Sequence, residues 1–385
     1  MKRYLLLLAA FLPFIAMFGT AENDSIINFT DSYVKKVCIA HWDVDNDGEL
    51  SMSEAASVTD LGTFFSGNKL IKSFHELRYF TGLSTIAEAA FYDCSNLREL
   101  TFPNQLKSIG ERAFGKCTNL YFDSFPKSIT EIGRIAFYNC FALTSLEIPD
   151  AVTHIGNQAF YRCKGAKSVK IGKSVSIIPY NAFANCEGLK TVTIPCTVDT
   201  VGSRAFEGCI SLSSVIIEDG ESELIFMPER DERNTFENCP LQNLYIGRSI
   251  NINMGLSPFK NNTKLTTLTI GEKVGIIDER NGYAFKGCKN LLTVCVKSVN
   301  PPIVREASFE RYDAVLMVPV GASSTYKTAP VWKKFTNICE FDTDGIQNIS
   351  KEHNPSSTIY DIYGLPLNGT PQKGIYIQNG KKYVK

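Results

Sequence analysis

Histidine, tryptophan and unbalanced charge are what this sequence has least of. Its 385 residues hold four histidines and two tryptophans, and 40 basic side chains are matched by 40 acidic ones. Zero net charge leaves no bulk field to draw in nucleic acid or an anionic membrane surface. His41, His75, His154 and His353 are scattered. No Ser/His/Asp or Cys/His set is suggested by their spacing, so an enzyme is not expected. None of the twelve cysteines forms a Cys-x-x-Cys pair, which argues against zinc. Beyond residue 18 no apolar run is long enough to span a bilayer.

What the chain does contain begins with an export-like leader. Lys2 and Arg3 precede an apolar run from Tyr4 to Phe18, and Gly19 and Ala21 supply small residues. Residues 1–21 therefore read as a signal peptide, and no transmembrane segment is expected once it is removed.

Residues 22–62 read as a helix–loop–helix around a twelve-residue calcium loop. Asp43, Asp45 and Asp47 stand at loop positions 1, 3 and 5, and Gly48 at position 6 permits the sharp turn. Glu49 at position 7 offers its backbone carbonyl. Ser51 at position 9 can reach an ion directly or through water, and Glu54 at position 12 can bind with both oxygens. Hard oxygen ligands in this order imply Ca²⁺, and a lone exported loop of this kind binds it at about 10⁻⁴–10⁻³ M. The flanking helices are expected at 32–42 and 52–61.

From residue 63 to 340 the chain repeats itself. Ala-Phe-x-x-Cys recurs with Phe91, Phe114, Phe137, Phe160, Phe183 and Phe206 at a spacing of 23, and less regularly at Phe236, Phe259, Phe285 and Phe309. The unit is clearest at 143–165: Leu143, Leu146 and Ile148 alternate with polar residues, Pro149 turns the chain, Val152 and Ile155 return it, and Phe160 and Cys163 plug the middle. Such a period, with Leu-x-x-Leu-x-Ile in each unit, is the sign of a leucine-rich-repeat solenoid of about ten coils, mainly β with short turns. One unit cannot bury its own apolar face, so neighbours must stack. Phe65 begins an atypical first unit, with Asn68 in the Cys place, and the helix–loop–helix is the natural cap for that end.

Four local readings follow. Eight cysteines share one repeat position, where side chains of stacked coils point in parallel, so the column reads as buried thiols and not as disulfides. Gly110 to Cys117 nearly spells a phosphate-binding loop, but Cys117 stands where Ser or Thr must hold Mg²⁺, and the segment is simply the repeat consensus. Asp123 falls where Leu100 and Leu146 stand in sister units, which suggests local slippage around Tyr121 and Phe122. After Cys209 the period stretches, and the excess at 218–233 is charged. It reads as a solvated loop, with a binding side as the alternative.

The strand residues that point away from the core form a long face, rich in hydroxyls. Its candidate ligand-binding residues are Glu99, Phe122, Ser145, Lys170, Thr191, Thr193, Tyr245, Thr267 and Thr269. Simple strand preference for Ser and Thr is the alternative explanation. A helix at 323–335 is expected to close the solenoid. Residues 341–356 read as a linker, and 357–385 as a small β module with alternating strands around Gly364 and Gly380.

The unit Leu-x-x-Leu-x-Ile-Pro-x-x-Val-x-x-Ile-Gly-x-x-Ala-Phe-x-x-Cys resembles the BspA-like leucine-rich-repeat family of bacterial surface antigens, over roughly 65–340. The front element resembles an EF-hand or dockerin-like segment with a single loop. The tail, with Gly374-Ile375-Tyr376-Ile377 and closing lysines, is similar to type IX secretion sorting domains of Bacteroidetes. The resemblance implies a non-enzymatic protein, secreted or held at the bacterial surface, that binds an extracellular protein of host matrix or of other cells. Accessory glycan binding in polysaccharide use is the alternative.

Overall fold

Each 23-residue unit makes one coil with three sides. In the computed structural model, residues 24–227, 234–252, 257–277 and 283–341 are described, together with four strands between 359 and 384. On the first side, a nine-stranded parallel sheet runs from Ser145–Glu147 through Ser168–Lys170, Thr191–Ile194, Ser214–Ile217, Asn243–Ile246, Thr267–Ile270, Thr293–Val296 and Val315–Pro319 to Asn337–Phe341. On the second side, short strands form two four-stranded parallel sheets. One holds Thr85–Ile86, Ser108–Ile109, Glu131–Ile132 and His154–Ile155, and the other holds Ile177–Ile178, Thr200–Gly202, Leu224–Met227 and Ile250–Ile252.

The third side carries Ala-Phe-x-x-Cys and is laddered by main-chain hydrogen bonds between coils. Phe114 N–H donates to the Ala136 carbonyl at 2.8 Å and Phe137 N–H to that of Ala159 at 2.8 Å. In the units from Phe91 to Phe206, two residues each take left-handed φ to make these tight turns, among them Arg112 (55°), Lys116 (64°) and even the β-branched Ile135 (47°). Each costs about 1–2 kcal/mol and persists because the ladder on both sides over-determines it. Where Ile is followed by Gly, successive coils come close: a Cβ on Gly156 would lie 2.3 Å from Arg134 N.

The core is a column of rings. Phe65, Phe91, Phe114, Phe137, Phe160, Phe183, Phe206, Phe236, Phe259, Phe285 and Phe309 stack one per coil, with centroids 5.1–6.0 Å apart and planes within 20° of parallel. The coils thus number about eleven, counting the atypical Phe65 unit. Beside the rings runs the cysteine column, and all twelve cysteines are free. Each column thiol donates to the Phe carbonyl of the coil before it, as from Cys117 to Phe91 (3.0 Å) and from Cys140 to Phe114 (3.1 Å). Burial pushes the Cys186 thiol up to about 12, so it stays protonated and keeps its donor.

The first coil is closed by helix α1 (Ser32–Trp42) and helix α2 (Met52–Ser57). The second helix is shorter than the 52–61 expected, because Val58 leaves helical geometry and its side chain enters the core. One carboxylate joins cap to solenoid. Asp31 Oδ1 accepts from Tyr33 N–H (2.9 Å) as the cap of α1, and its Oδ2 accepts from Lys72 N–H (2.6 Å) beside the edge strand Ser73–Phe74. Buried Glu76 accepts from Thr30 N–H at 2.9 Å, and Trp42 meets Phe80 edge-on at 5.6 Å. At the other end, the expected helix over 323–335 is broken into helix α3 (Ser323–Thr328) and a 3-10 turn, Trp332–Lys334. Pro330 and the left-handed φ of Val331 (68°) interrupt it. Tyr326 and Trp332 lie over the last coils and donate to the Ser298 and Pro302 carbonyls, each at 2.8 Å.

The signal-peptide reading lies outside the described residues, as does the proposed linker apart from Phe341, which ends the last sheet strand. In the tail, Ile359–Asp361, Pro366–Leu367, Ile375–Gln378 and Lys381–Val384 pair as one antiparallel four-stranded sheet.

Candidate functional site

Two places hold the residues singled out above: the outward face of the long-strand side, and the loop between α1 and α2. On the strand face, sheet alternation puts every second residue outside. Glu99, Ser145, Lys170 and Thr191 are exposed there, and Thr193 is half-buried. Ser145 and Ser168 face each other in register with hydroxyls 3.5 Å apart, and Glu147 stands beside Lys170. His75 Nε2 lies 3.2 Å from Glu99 at the N-terminal end.

Four of the nine candidates are not on an open surface. Phe122 is a core residue, packed edge-to-face on Phe102 (5.2 Å) and Phe125 (4.8 Å). The slippage is real: Glu99 pairs with Tyr121, so Phe122 takes the place of Leu100. One residue too few after Leu120 and one too many before Phe125 restore the register. Tyr121 is the side chain that stands outside, 44% exposed, and its position directly after Leu120 was the available signal. Tyr245, Thr267 and Thr269 do point outward in the ladder, yet they are buried. Tyr245 is covered because its hydroxyl donates to Asp219 Oδ1 (2.7 Å) and Lys297 Nζ sits 5.2 Å from its ring centroid. Thr269 then lies in register between Tyr245 and Cys295, two side chains that shade it.

Asp219 belongs to the charged stretch after Cys209; residues 228–233 of that stretch lie outside the described residues, and the part before them is less of a free loop than expected. Leu224–Met227 joins the short-strand sheet between Thr200–Gly202 and Ile250–Ile252. Arg248, which sequence reasoning missed, pins this region. It is fully buried, and its guanidinium donates to the carbonyls of Pro195 (3.0 Å), Cys196 (3.0 Å) and Val198 (2.5 Å) and to Ser222 Oγ (3.2 Å). Burial lowers its pKa from the ordinary arginine value, partly offset by Cys196, Asp199 and Glu218. A basic residue after a strand-ending Gly, as in Gly172-Lys173, is otherwise an exposed repeat position, so no pattern marked this one.

In the acidic loop, Asp43, Asp45 and Asp47 converge, each with a carboxylate oxygen within 4.8 Å of the others. Gly48 takes φ 85° at the turn and its N–H donates to Asp43 Oδ2 (3.0 Å). Glu49 points its side chain away to Lys35 at 2.6 Å. Glu54 spans the loop: Oε1 accepts from Val44 N–H (2.7 Å) and Oε2 from Ser51 N–H (2.9 Å), completing a capping box on α2. Burial works to raise the Glu54 carboxyl, but these donors outweigh it and hold it below the usual range. The Asp45 carboxyl is shifted up: the Asp47 N–H opposes this, while desolvation and the charges of Asp47 and Glu54 prevail. Asp43 Oδ1 is buried with no hydrogen-bond partner among the described residues. An orphaned carboxylate oxygen facing two further carboxylates fits a hard cation.

A family model described as "BspA type Leucine rich repeat region" matches in six copies over residues 84–213 and 229–315, together more than half of the chain. No curated protein matches. Among solved structures, a leucine-rich repeat protein from Bacteroides ovatus is 18% identical, with 82% of this chain and 90% of that one covered, at a TM-score of 0.45. A leucine rich cell surface protein from Faecalibacterium prausnitzii is 20% identical, covering 74% and 83%, at 0.33. The pneumococcal vaccine antigen PcpA is 18% identical, covering 74% and 84%, at 0.27.

Proposed function

Because this chain belongs to the BspA-type leucine-rich repeat family, we propose that it is a non-enzymatic binding protein of the cell exterior that holds an extracellular protein against its strand face. The basic, apolar and small-residue pattern of residues 1–21 supports export, and no described helix is long and apolar enough to cross a membrane. The observation that carries the reading is the row of open rungs in the N-terminal half. Glu99, Tyr121, Ser145, Glu147, Lys170 and Thr191 are all exposed on adjacent coils, whereas the equivalent rungs from Ser214 to Met317 are half-buried or buried, and exposure returns only at Asn337 and Cys339 of the last strand. Such a row offers many shallow polar contacts with one aromatic anchor, the pattern of a protein interface. A component of host matrix or another cell's surface is the expected partner.

The loop between the helices would hold Ca²⁺ through Asp43, Asp45, Asp47, the Glu49 carbonyl, Ser51 and Glu54. Since α1 and α2 share the solenoid core, the ion would act as a clip on the cap.

The test is a binding panel: the full chain against immobilised matrix proteins and a glycan array, with and without Ca²⁺. Saturable binding to a protein, weakened about tenfold by Tyr121→Ala as expected for an interface anchor, supports the reading. Binding to glycans alone would move the function to accessory polysaccharide recognition through Tyr121. Protein binding unaffected by Tyr121→Ala and Lys170→Ala would remove the strand face as the site.

A further inference from the structure

The short-strand side carries a groove that none of the above uses. It crosses the strands Ser108–Ile109, Glu131–Ile132, His154–Ile155 and Ile177–Ile178, with a volume of about 600 Å³. Two rows border it. One is the outward row Thr85, Ser108, Glu131 and His154, in register on adjacent strands and continued one coil later by Ile177. The other is Glu111, Arg134 and Asn157. Between them in sequence lie Gly110, Gly133 and Gly156, so the middle has no side chains. The glycines are there for coil stacking, since a Cβ on any of the three would meet the preceding coil's backbone within 2.8 Å. The groove is a by-product of the repeat, but its lining is particular to these coils.

The lining has one unpaired charge. Glu111 is engaged: Arg134 Nε donates to it at 3.0 Å, Arg134 Nη2 makes a second bond, and Arg112 stands 3.7 Å away outside the groove. The Glu131 carboxylate is exposed and has no hydrogen-bond or ion-pair partner among the described residues. Ile177, 53% exposed, supplies an aliphatic patch two coils further on. Two coil steps at the strand spacing amount to about 10 Å. A peptide in β conformation repeats a face every two residues, at about 6.7 Å or 13 Å, and misses that distance. A polyproline-II helix repeats a face every three residues, at about 9.3 Å, and meets it. Such a helix has no internal hydrogen bonds and needs outside donors. Asn157 and Ser176 line the groove and carry them.

We propose that this groove docks a cationic polyproline-II segment, with a Lys or Arg on Glu131 and an aliphatic side chain three residues along on Ile177. The site lies on a different side of the coil from the strand face and goes beyond the function proposed for it.

The experiment uses the full chain and a dye-labelled, proline-rich nonapeptide with one lysine and one leucine three positions apart, read by fluorescence anisotropy. Saturable binding is expected, weakened about fivefold by Glu131→Gln and by Ile177→Ser, as for a single partly exposed anchor. Glu147→Gln, on the strand face, should leave it unchanged, and matching thermal melts would show that the variants fold. A peptide with the pair two positions apart, or with glutamate for lysine, should bind at least fivefold more weakly. Equal affinity for these control peptides, loss of binding in Glu147→Gln, indifference to both groove substitutions, or no saturation would each overturn the proposal.

Discussion

The coils from Phe91 to Phe206 and those from Phe236 onward solve the same packing problem differently. In the first group every coil has the same length, and stacking is done by repetition. One ring, one thiol and one set of main-chain bonds recur at 23 residues, and rings lie 5.1–5.5 Å apart with planes within 11°. In the second group the lengths vary, and Phe259 and Phe285 are separated by 6.0 Å. There individual side chains take over: Arg248 gathers three carbonyls, Tyr245 ties Asp219 to the sheet, and Asn262 replaces the column cysteine and bonds within its own coil, to Phe259 O at 3.2 Å. Repetition leaves the outer face free, while irregular coils use it up. That is why the open rungs, apart from those of the last strand, lie in the N-terminal half.

The largest expected effect that tests this contrast is Phe137→Ala. Removing a ring stacked on both sides should cost about 3–5 kcal/mol, read from urea unfolding. Phe285→Ala, at the looser spacing, should cost about 1 kcal/mol less by the same rule that relaxed sites lose less; equal losses would mean that the column is uniform after all.

Arg248→Met comes next. It leaves the carbonyls of Pro195, Cys196 and Val198 without donors and should cost about 2–4 kcal/mol. Hydrogen exchange should rise at 199–202 and 224–227 and stay unchanged at 91–163. A uniform rise would mean that the solenoid unfolds as one unit and that the two halves are not distinct.

Cys140→Ala should cost about 1–2 kcal/mol through the lost volume and S–H donor. Cys196→Ala, at an exposed position, should stay within about 0.5 kcal/mol, so parity between the two would deny the thiol column any role.

The smallest effect concerns the cap. Glu54→Gln should lower the melting temperature in millimolar Ca²⁺ and change little with chelator present; equal loss in both would mean that the loop takes no metal. Without metal, the depressed Glu54 carboxyl contributes stability above its unfolded pKa, about 4.5, and loses it as pH falls through its lower folded value. Exchange at 51–57 should therefore quicken below pH 4.5 in the native chain and not in Glu54→Gln.

Much of this was readable beforehand, and particular residues show why. Phe91 to Phe206 and the cysteines beside them are equivalent by spacing alone, and equivalent residues in a stack must meet. The free thiols followed from parallel side chains. The convergence of Asp43, Asp45 and Asp47 was legible because these carboxylates are neighbours in the chain. Phe122 was misplaced because a deletion and an insertion two residues apart cancel in the count, and only pairing of Glu99 with Tyr121 reveals them. Tyr245, Thr267 and Thr269 were correctly placed on the outward side of their strands. The burial of Tyr245, which in turn shades Thr269, depends on Asp219 and Lys297, which lie 26 and 52 positions from Tyr245 along the chain. The second helix stopped early because Val58 was needed in the core.

By itself the sequence determined the period, the three-sided coil, the buried columns and the acidic loop, because each depends on residues within one unit or one turn. Only the tertiary structure decided which outward rungs stay open, where a buried arginine could be satisfied, how Asp31 serves a helix and a strand at once, and that Glu131 stands unpaired above a glycine row. Those outcomes depend on contacts between coils, whose partners are set by stacking and not by spacing along the chain.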